Sequence, residues 1–261
     1  MPLCATFLLS FNDWDPHKGI IDTLTTKNWI EIASEGYFAE IFWRTLRIAG
    51  ATTFLCIALG VPEAYLLSKM KPPWRGLFLL VVIGPLLISV VARTLGWALL
   101  LGSTGIVNQL LIRWGAIETP LPFMFTELGV IIALTHVLMP FMILSVWASL
   151  QRLDPQVESA ALSLGASKVT VLARVVLPQI IPGILSGSVV VFSMAASAFA
   201  TPSIIGGRRL KMASTLAYDE FLNTLNWPLG AVVAVILLVG LLAIVITANR
   251  VIERKYVEVL R

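Results

Sequence analysis

Apolar residues fall in long runs along this chain, and the runs are separated by short polar segments rather than by the alternation of a strand or the stripe of a surface helix. Five runs, at residues 45–68, 77–101, 128–149, 180–200 and 229–248, each have the roughly 20 apolar residues that carry a helix across about 30 Å of hydrocarbon. Each predicts one transmembrane helix. A sixth run, residues 1–11, would extend only about 16 Å as a helix. No basic leader precedes it and no small-x-small cleavage site comes after it, so it reads as the second half of a first span whose start lies upstream, with ten to twenty further apolar residues expected there. The expected fold is therefore all-α and integral to the membrane: one domain over residues 1–261, with about six transmembrane helices, the first truncated.

Composition agrees with the pattern. Of 261 residues 57% are hydrophobic and 13% charged, about half the charge of an ordinary soluble domain, and mean hydropathy is +0.88. The formal charge of +4 is scattered, with no aromatic-interleaved basic face, which argues against a nucleic-acid partner. Cys4 and Cys56 both lie in apolar runs without ligand spacing, so neither a disulfide framework nor a metal site is indicated, and nothing calls for a cofactor.

Basic residues near a span resist translocation, so their distribution orients the chain. Lys69, Lys71 and Arg75, then Arg152, Lys168 and Arg174, then Arg250, Arg254, Lys255 and Arg261 occupy alternate connections, which are expected in the cytoplasm. The connections 12–42, 102–127 and 201–228 are then external. They carry Trp14, Trp29, Trp114 and Trp227, whose amphipathic rings suit an interface.

The cytoplasmic loop 151–179 is too polar to cross a membrane and too patterned to be a plain connector. Asp154 before Pro155 predicts a helix cap with proline in the first turn, and Val157, Ala160, Ala161 and Leu164 recur at helical spacing. Gly165 is placed to stop that helix in a left-handed turn, after which Lys168 begins a second one. Leu177-Pro178 and Pro182-Gly183 mark a bend into the next span. An interfacial amphipathic helix with a glycine cap would fit the local pattern equally well.

The spacing Glu158-Ser159-Ala160-Ala161, Gly165, Val176-Leu177-Pro178 resembles the Glu-Ala-Ala loop of permease subunits of binding-protein-dependent ABC importers, with one Ser interposed after the glutamate. The likeness runs from about Arg44 to the end. It is nearest the spermidine/putrescine-type branch through Gly60-Val61-Pro62 with Ala64-Tyr65, Arg93-Thr94 with Trp97, Gly105 with Asn108-Gln109, FATPSIIGG at 199–207, and Asn226-Trp227-Pro228. The resemblance implies a bacterial inner-membrane subunit that docks on separate ATPase subunits through Glu158, Ala160, Ala161, Gly165, Leu177 and Pro178. It also implies pairing with a second permease subunit and a periplasmic solute-binding protein. A polyamine such as putrescine or spermidine is the implied solute, with an opine or amino-acid-like compound as the alternative.

Within the spans Glu63 and Arg93 are the candidate path residues, since an intramembrane charge costs about 2.5–3.5 kcal/mol on insertion scales unless it faces a polar cavity or a partner. Glu63 could hold an ammonium group, or the two could pair and merely brace the bundle. His136 is expected to be a hydrogen-bonded packing residue. Gly60, Gly84, Gly183, Gly187, Ser193, Ala195 and Ala196 are expected at close helix contacts. Thr201, Pro202, Ser203, Gly206 and Gly207 suit either external docking or chain reversal. No Gly-x-x-x-x-Gly-Lys-Ser/Thr loop is present, so the chain is not expected to hydrolyse ATP itself. A secondary transporter using Glu63, Arg93 and His136 would leave the 151–179 loop unexplained, and no catalytic cluster supports a membrane enzyme.

Overall fold

The computed structural model describes residues 2–260. Helix α1 (Pro2–Leu9) covers most of the short opening run, of which Met1 lies outside the described residues. The next segment departs from the all-α expectation. Strands β1 (Asn12–Asp15) and β2 (Gly19–Leu24) pair as an antiparallel hairpin. Its turn is local chemistry: the Asp15 carboxylate accepts from the backbone N–H of His17 at 2.8 Å and Lys18 at 3.0 Å, and Gly19 closes it at φ +78°.

After α2 (Lys27–Ser34), helix α3 runs from Gly36 to Lys69, nine residues earlier than the apolar run at 45. Hydropathy marks only the part of a helix that sits in hydrocarbon; the extra turns bury Phe38 and Ile41 against α11 (Ala213–Leu222) and α12 (Trp227–Leu260).

The run at 77–101 is interrupted. Helix α4 (Trp74–Ile83) tightens into a 3-10 turn (Gly84–Leu87), the chain extends at Ile88, and α5 (Val90–Leu101) starts afresh, followed by α6 (Ile106–Arg113). Pro85 explains the break, since it has no N–H for the Val81 carbonyl and its ring crowds that carbonyl. Hydropathy passes over the break because one Gly and one Pro barely lower the average of a run rich in Leu, Ile and Val. Among the described residues five helical stretches are long and apolar enough to cross a membrane: Gly36–Lys69, Val90–Arg113, Glu127–Leu150, Lys168–Ala196 and Trp227–Arg250, with Trp74–Leu87 a shorter apolar piece.

Helix α7 (Glu127–Leu150) is the hub, with 61% of its apolar window buried against 39% or less in the other four. Thr126 caps it, its hydroxyl accepting from the Gly129 N–H at 3.2 Å. Around it pack α3 and α10 (Leu177–Ala196), with Cys56, Ala64, Leu67, Met142, Ile143, Val146, Ile180 and Val191 forming the main core. Glycines set the approach. A Cβ at Gly60 would lie 3.1 Å from Met142, one at Gly187 3.0 Å from the Met142 sulfur, and one at Gly183 would collide with Ser149. Ala195 and Ala196 are fully buried. Gly84 differs from the expectation, since nothing lies within 4 Å of a Cβ there; it serves the turn before α5.

The segment 201–207 is packed rather than free to dock. Thr201, Pro202, Ile205 and Gly206 are buried, Ile205 joins Ile48, Val130 and Leu134 in a further core cluster, and its carbonyl accepts from Phe125 N–H at 2.8 Å. Between residues 201 and 210 only Ser203, Arg208 and Arg209 are exposed.

Candidate functional site

The loop joining α7 to α10 is built by local rules. The Asp154 carboxylate accepts from Gln156 N–H at 2.9 Å and starts α8 (Pro155–Ser163). At the other end Ala166 N–H reaches the Ala161 carbonyl at 3.1 Å and Gly165 N–H reaches the Leu162 carbonyl at 3.0 Å, with Gly165 at φ +86°. These two bonds are those of a Schellman stop, which wants a residue without a Cβ at the left-handed position. Ser167 then caps α9 (Lys168–Val171), accepting from Thr170 N–H at 3.2 Å.

The entry into the next span is helical throughout. A wide π-type stretch (Leu172–Val176) carries α9 directly into α10, so Lys168–Ala196 is one continuous helix. Pro178 cannot donate to the Arg174 carbonyl, and the wide turn accommodates that loss; the Gln179 side-chain amide donates to the Val175 carbonyl at 2.9 Å. Leu177 and Pro178 sit exposed in the first turn of α10.

The six residues expected to couple to an ATPase are thereby gathered on one structure but face different ways. Ala160 and Gly165 are exposed, Ala161 packs against the main core, and nothing lies within 4 Å of a Cβ at Gly165. Leu164 is 89% exposed and Val169 76%, so the tip carries an uncovered apolar surface. Glu158 turns inward. Its carboxylate accepts from the Tyr65 hydroxyl at 3.1 Å through Oε1 and pairs with the Lys69 ammonium through Oε2. The motif spacing gave no hint of these two α3 partners, although Tyr65 and Lys69 at i, i+4 share one helix face.

Glu63 and Arg93 are not brought together. Among the described residues Glu63, half-buried on α3, makes no ion pair or hydrogen bond. Arg93 donates from Nη1 to the Pro85 carbonyl at 2.8 Å across the α4–α5 break, while its buried Nε lacks a partner. The break frees carbonyls that hydrocarbon cannot satisfy, and Arg93 answers one of them. His136 is a packing residue as expected: its Nδ1 accepts from the Trp97 indole N–H at 3.1 Å, which leaves the ring proton on Nε2. Thr94 and Thr201 hydroxyls meet at 3.0 Å beside this hub.

At the end of the bundle away from the loop lies a charge network that sequence reasoning missed. Glu127 accepts from Arg47 and lies 3.5 Å from Arg44, which also pairs with Glu40. The signal was present, since Glu40, Arg44 and Arg47 follow helical spacing. Nearby, Lys211 and Asp219 lie 2.8 Å apart. Partial burial pulls the Lys211 ammonium down, but the bond to Asp219 and the neighbouring Tyr37 and Glu220 outweigh it and hold the group above the usual lysine range. Among the described residues no cluster of His, Cys, Asp or Glu could hold a metal ion.

Apolar helices long enough to cross a membrane, with a capped helical loop presenting an uncovered apolar tip, define the class as an integral membrane protein. The chain belongs to the family of binding-protein-dependent transport system inner membrane components, whose model matches residues 74–258. It is 33% identical over 258 residues to the spermidine/putrescine transport system permease protein PotB of Haemophilus influenzae, covering 98% of this chain and 90% of the relative. It is 32% identical over 249 residues to PotB of Escherichia coli K12, covering 94% and 90%. Its fold is similar to a solved bacterial ABC transporter involved in import of the acidic polysaccharide alginate, with TM-score 0.80 at 18% identity over 97% of this chain and 89% of that one.

Proposed function

We propose that this chain is the membrane-spanning permease subunit of an ATP-driven importer that carries a polyamine such as putrescine or spermidine across the bacterial inner membrane. ATP is hydrolysed in separate ATPase subunits, a periplasmic binding protein delivers the solute, and a second permease subunit completes the path. The loop 151–179 and the C-terminal end of α12 face the cytoplasm, consistent with the basic residues on those connections.

The observation that carries this reading is the Schellman-stopped α8 with its uncovered tip. Leu164 and Val169 are held out by a hydrogen-bonded turn with nothing among the described residues to cover them, as a docking element for a second protein requires. The continuous helix Lys168–Ala196 would carry a displacement of the tip into the bundle without a joint, and such transmission is rigid-body coupling. The polyamine assignment rests on the named relatives and on Glu63, an unpaired carboxylate within a span that suits an ammonium group.

Gly165→Val tests the reading in the complex of this chain with its ATPase, partner permease and binding protein, reconstituted in proteoliposomes. A β-branched residue at φ +86° is strongly disfavoured, and the spans are untouched. The variant should insert normally, lose at least tenfold in radiolabelled spermidine uptake, and either release the ATPase or lose stimulation of hydrolysis by loaded binding protein. Uptake near wild type with a bound, stimulated ATPase would refute the assignment of this loop as the coupling element.

A further inference from the structure

The coupling glutamate faces away from the exposed tip. Glu158 lies in the first turn of α8 with its side chain only 22% exposed, and both of its oxygens are engaged by the last turn of α3, Oε1 by the Tyr65 hydroxyl at 3.1 Å and Oε2 by the Lys69 ammonium. The Lys69 nitrogen also stands 5.3 Å from the centre of the Tyr65 ring, so the phenol positions the ammonium as well as the carboxylate. A cleft lined by Leu150, Leu153, Val157, Val176 and Gln179 surrounds this pair, and here the ends of α3 and α7, the start of α8 and the π-type stretch converge.

The covalent path makes the contact significant. Chain continuity ties α8 to α7 on one side and to α9 and α10 on the other, whereas α3 continues through residues 70–73 into α4. Motion of α8 therefore has a direct backbone route to α7 and α10 and only a long one, through α4, α5 and α6, to α3. Yet α3 is the helix that carries Glu63, two residues before Tyr65. We infer that Tyr65, Lys69 and Glu158 form a latch that makes the loop end of α3 move with α8, so that the stroke delivered to the docking loop reaches the Glu63 helix directly. These three act as positioning residues, touching neither solute nor nucleotide in this role.

The inference rests on the coupling reading above, and the experiment separates the two. In the same proteoliposomes, uptake of radiolabelled spermidine and ATP hydrolysis stimulated by loaded binding protein are measured together, and their ratio is the readout. Lys69→Met should keep the ATPase bound and its hydrolysis stimulated within twofold of wild type, while spermidine moved per ATP falls at least threefold. Tyr65→Phe, which keeps the ring and removes only the hydroxyl, should lower the ratio less. Lys69→Arg, which keeps the charge, should hold the ratio within twofold of wild type, whereas Lys69→Glu, which sets two carboxylates face to face, should fall below Lys69→Met. A wild-type ratio in Lys69→Met, or a Lys69→Arg ratio no better than that of Lys69→Met, overturns the latch. If those results accompany loss of stimulation in Gly165→Val, the coupling reading stands and only the latch fails.

Discussion

At the scale of single residues, side chains of one chemical type do different work according to what meets them. Gly183 and Gly84 are both intramembrane glycines in apolar runs, but only Gly183 faces a neighbouring helix closely enough to need the missing Cβ. Gly183→Ala should cost about 1–3 kcal/mol through overpacking against Ser149, seen as a lower melting temperature of the detergent-purified chain. Gly84→Ala, with open space and a helical φ of −47°, should leave melting within about 0.5 kcal/mol of wild type or slightly better. Glu63 is legible as an oddity from sequence, because a lone carboxylate in a span is rare for energetic reasons. Its partnership was not legible, since pairing with Arg93 depends on which way two separate helices turn. With no partner in the bundle, Glu63→Gln should assemble and melt as wild type while spermidine uptake falls at least fivefold; a fall in assembly that Arg93→Gln repairs would restore the pairing reading.

At the scale of elements, hydropathy located apolar mass but not continuity. Helix α3 and the continuous Lys168–Ala196 helix begin well before their apolar runs because hydrogen bonding continues wherever the backbone allows it, while the run at 77–101 breaks at Gly84-Pro85. Arg93 is the element-level consequence of that break. Removing its guanidinium leaves the Pro85 carbonyl with only the 3.3 Å bond from the Ile88 N–H, so Arg93→Leu should destabilise the chain by about 0.5–1.5 kcal/mol, the net worth of one hydrogen bond. The loss should appear as increased cysteine-reagent access at Ile88→Cys relative to the same cysteine in the Arg93 background. The α8 turn was legible through its Asp-Pro start and glycine stop, each satisfied within a few residues of chain, whereas the equally local Ser167 cap was not read. The hairpin at 12–24 was not anticipated, although its Asp-Pro-His-Lys-Gly turn carries the same kind of local signal.

At the scale of the whole molecule, three core clusters divide the bundle: one around α3, α7 and α10, one joining α2 and the start of α3 to α11 and α12, and one gathering the 205–212 segment against α7. The Glu127 network ties α3 to α7 at the end opposite the loop, with Glu127 33% exposed at its side chain. Glu127→Gln should lower the melting temperature by about 2–4 °C, the equivalent of roughly 1 kcal/mol for a chain of this size, and the effect should shrink in high salt. The sequence by itself determined what depends on composition and on neighbours in the chain: membrane residence, the approximate runs, the capped loop and the family. It could not rank the spans, because a helix that is apolar all round carries no face that distinguishes a lipid neighbour from a protein one, and α7 became the hub only through packing. Nor could it place Glu158 on Tyr65 and Lys69, leave Glu63 unpaired, or bury Thr201, Pro202, Ile205 and Gly206. Those contacts join residues dozens of positions apart, and their geometry is set by how the helices cross, which is a property of the assembled bundle alone.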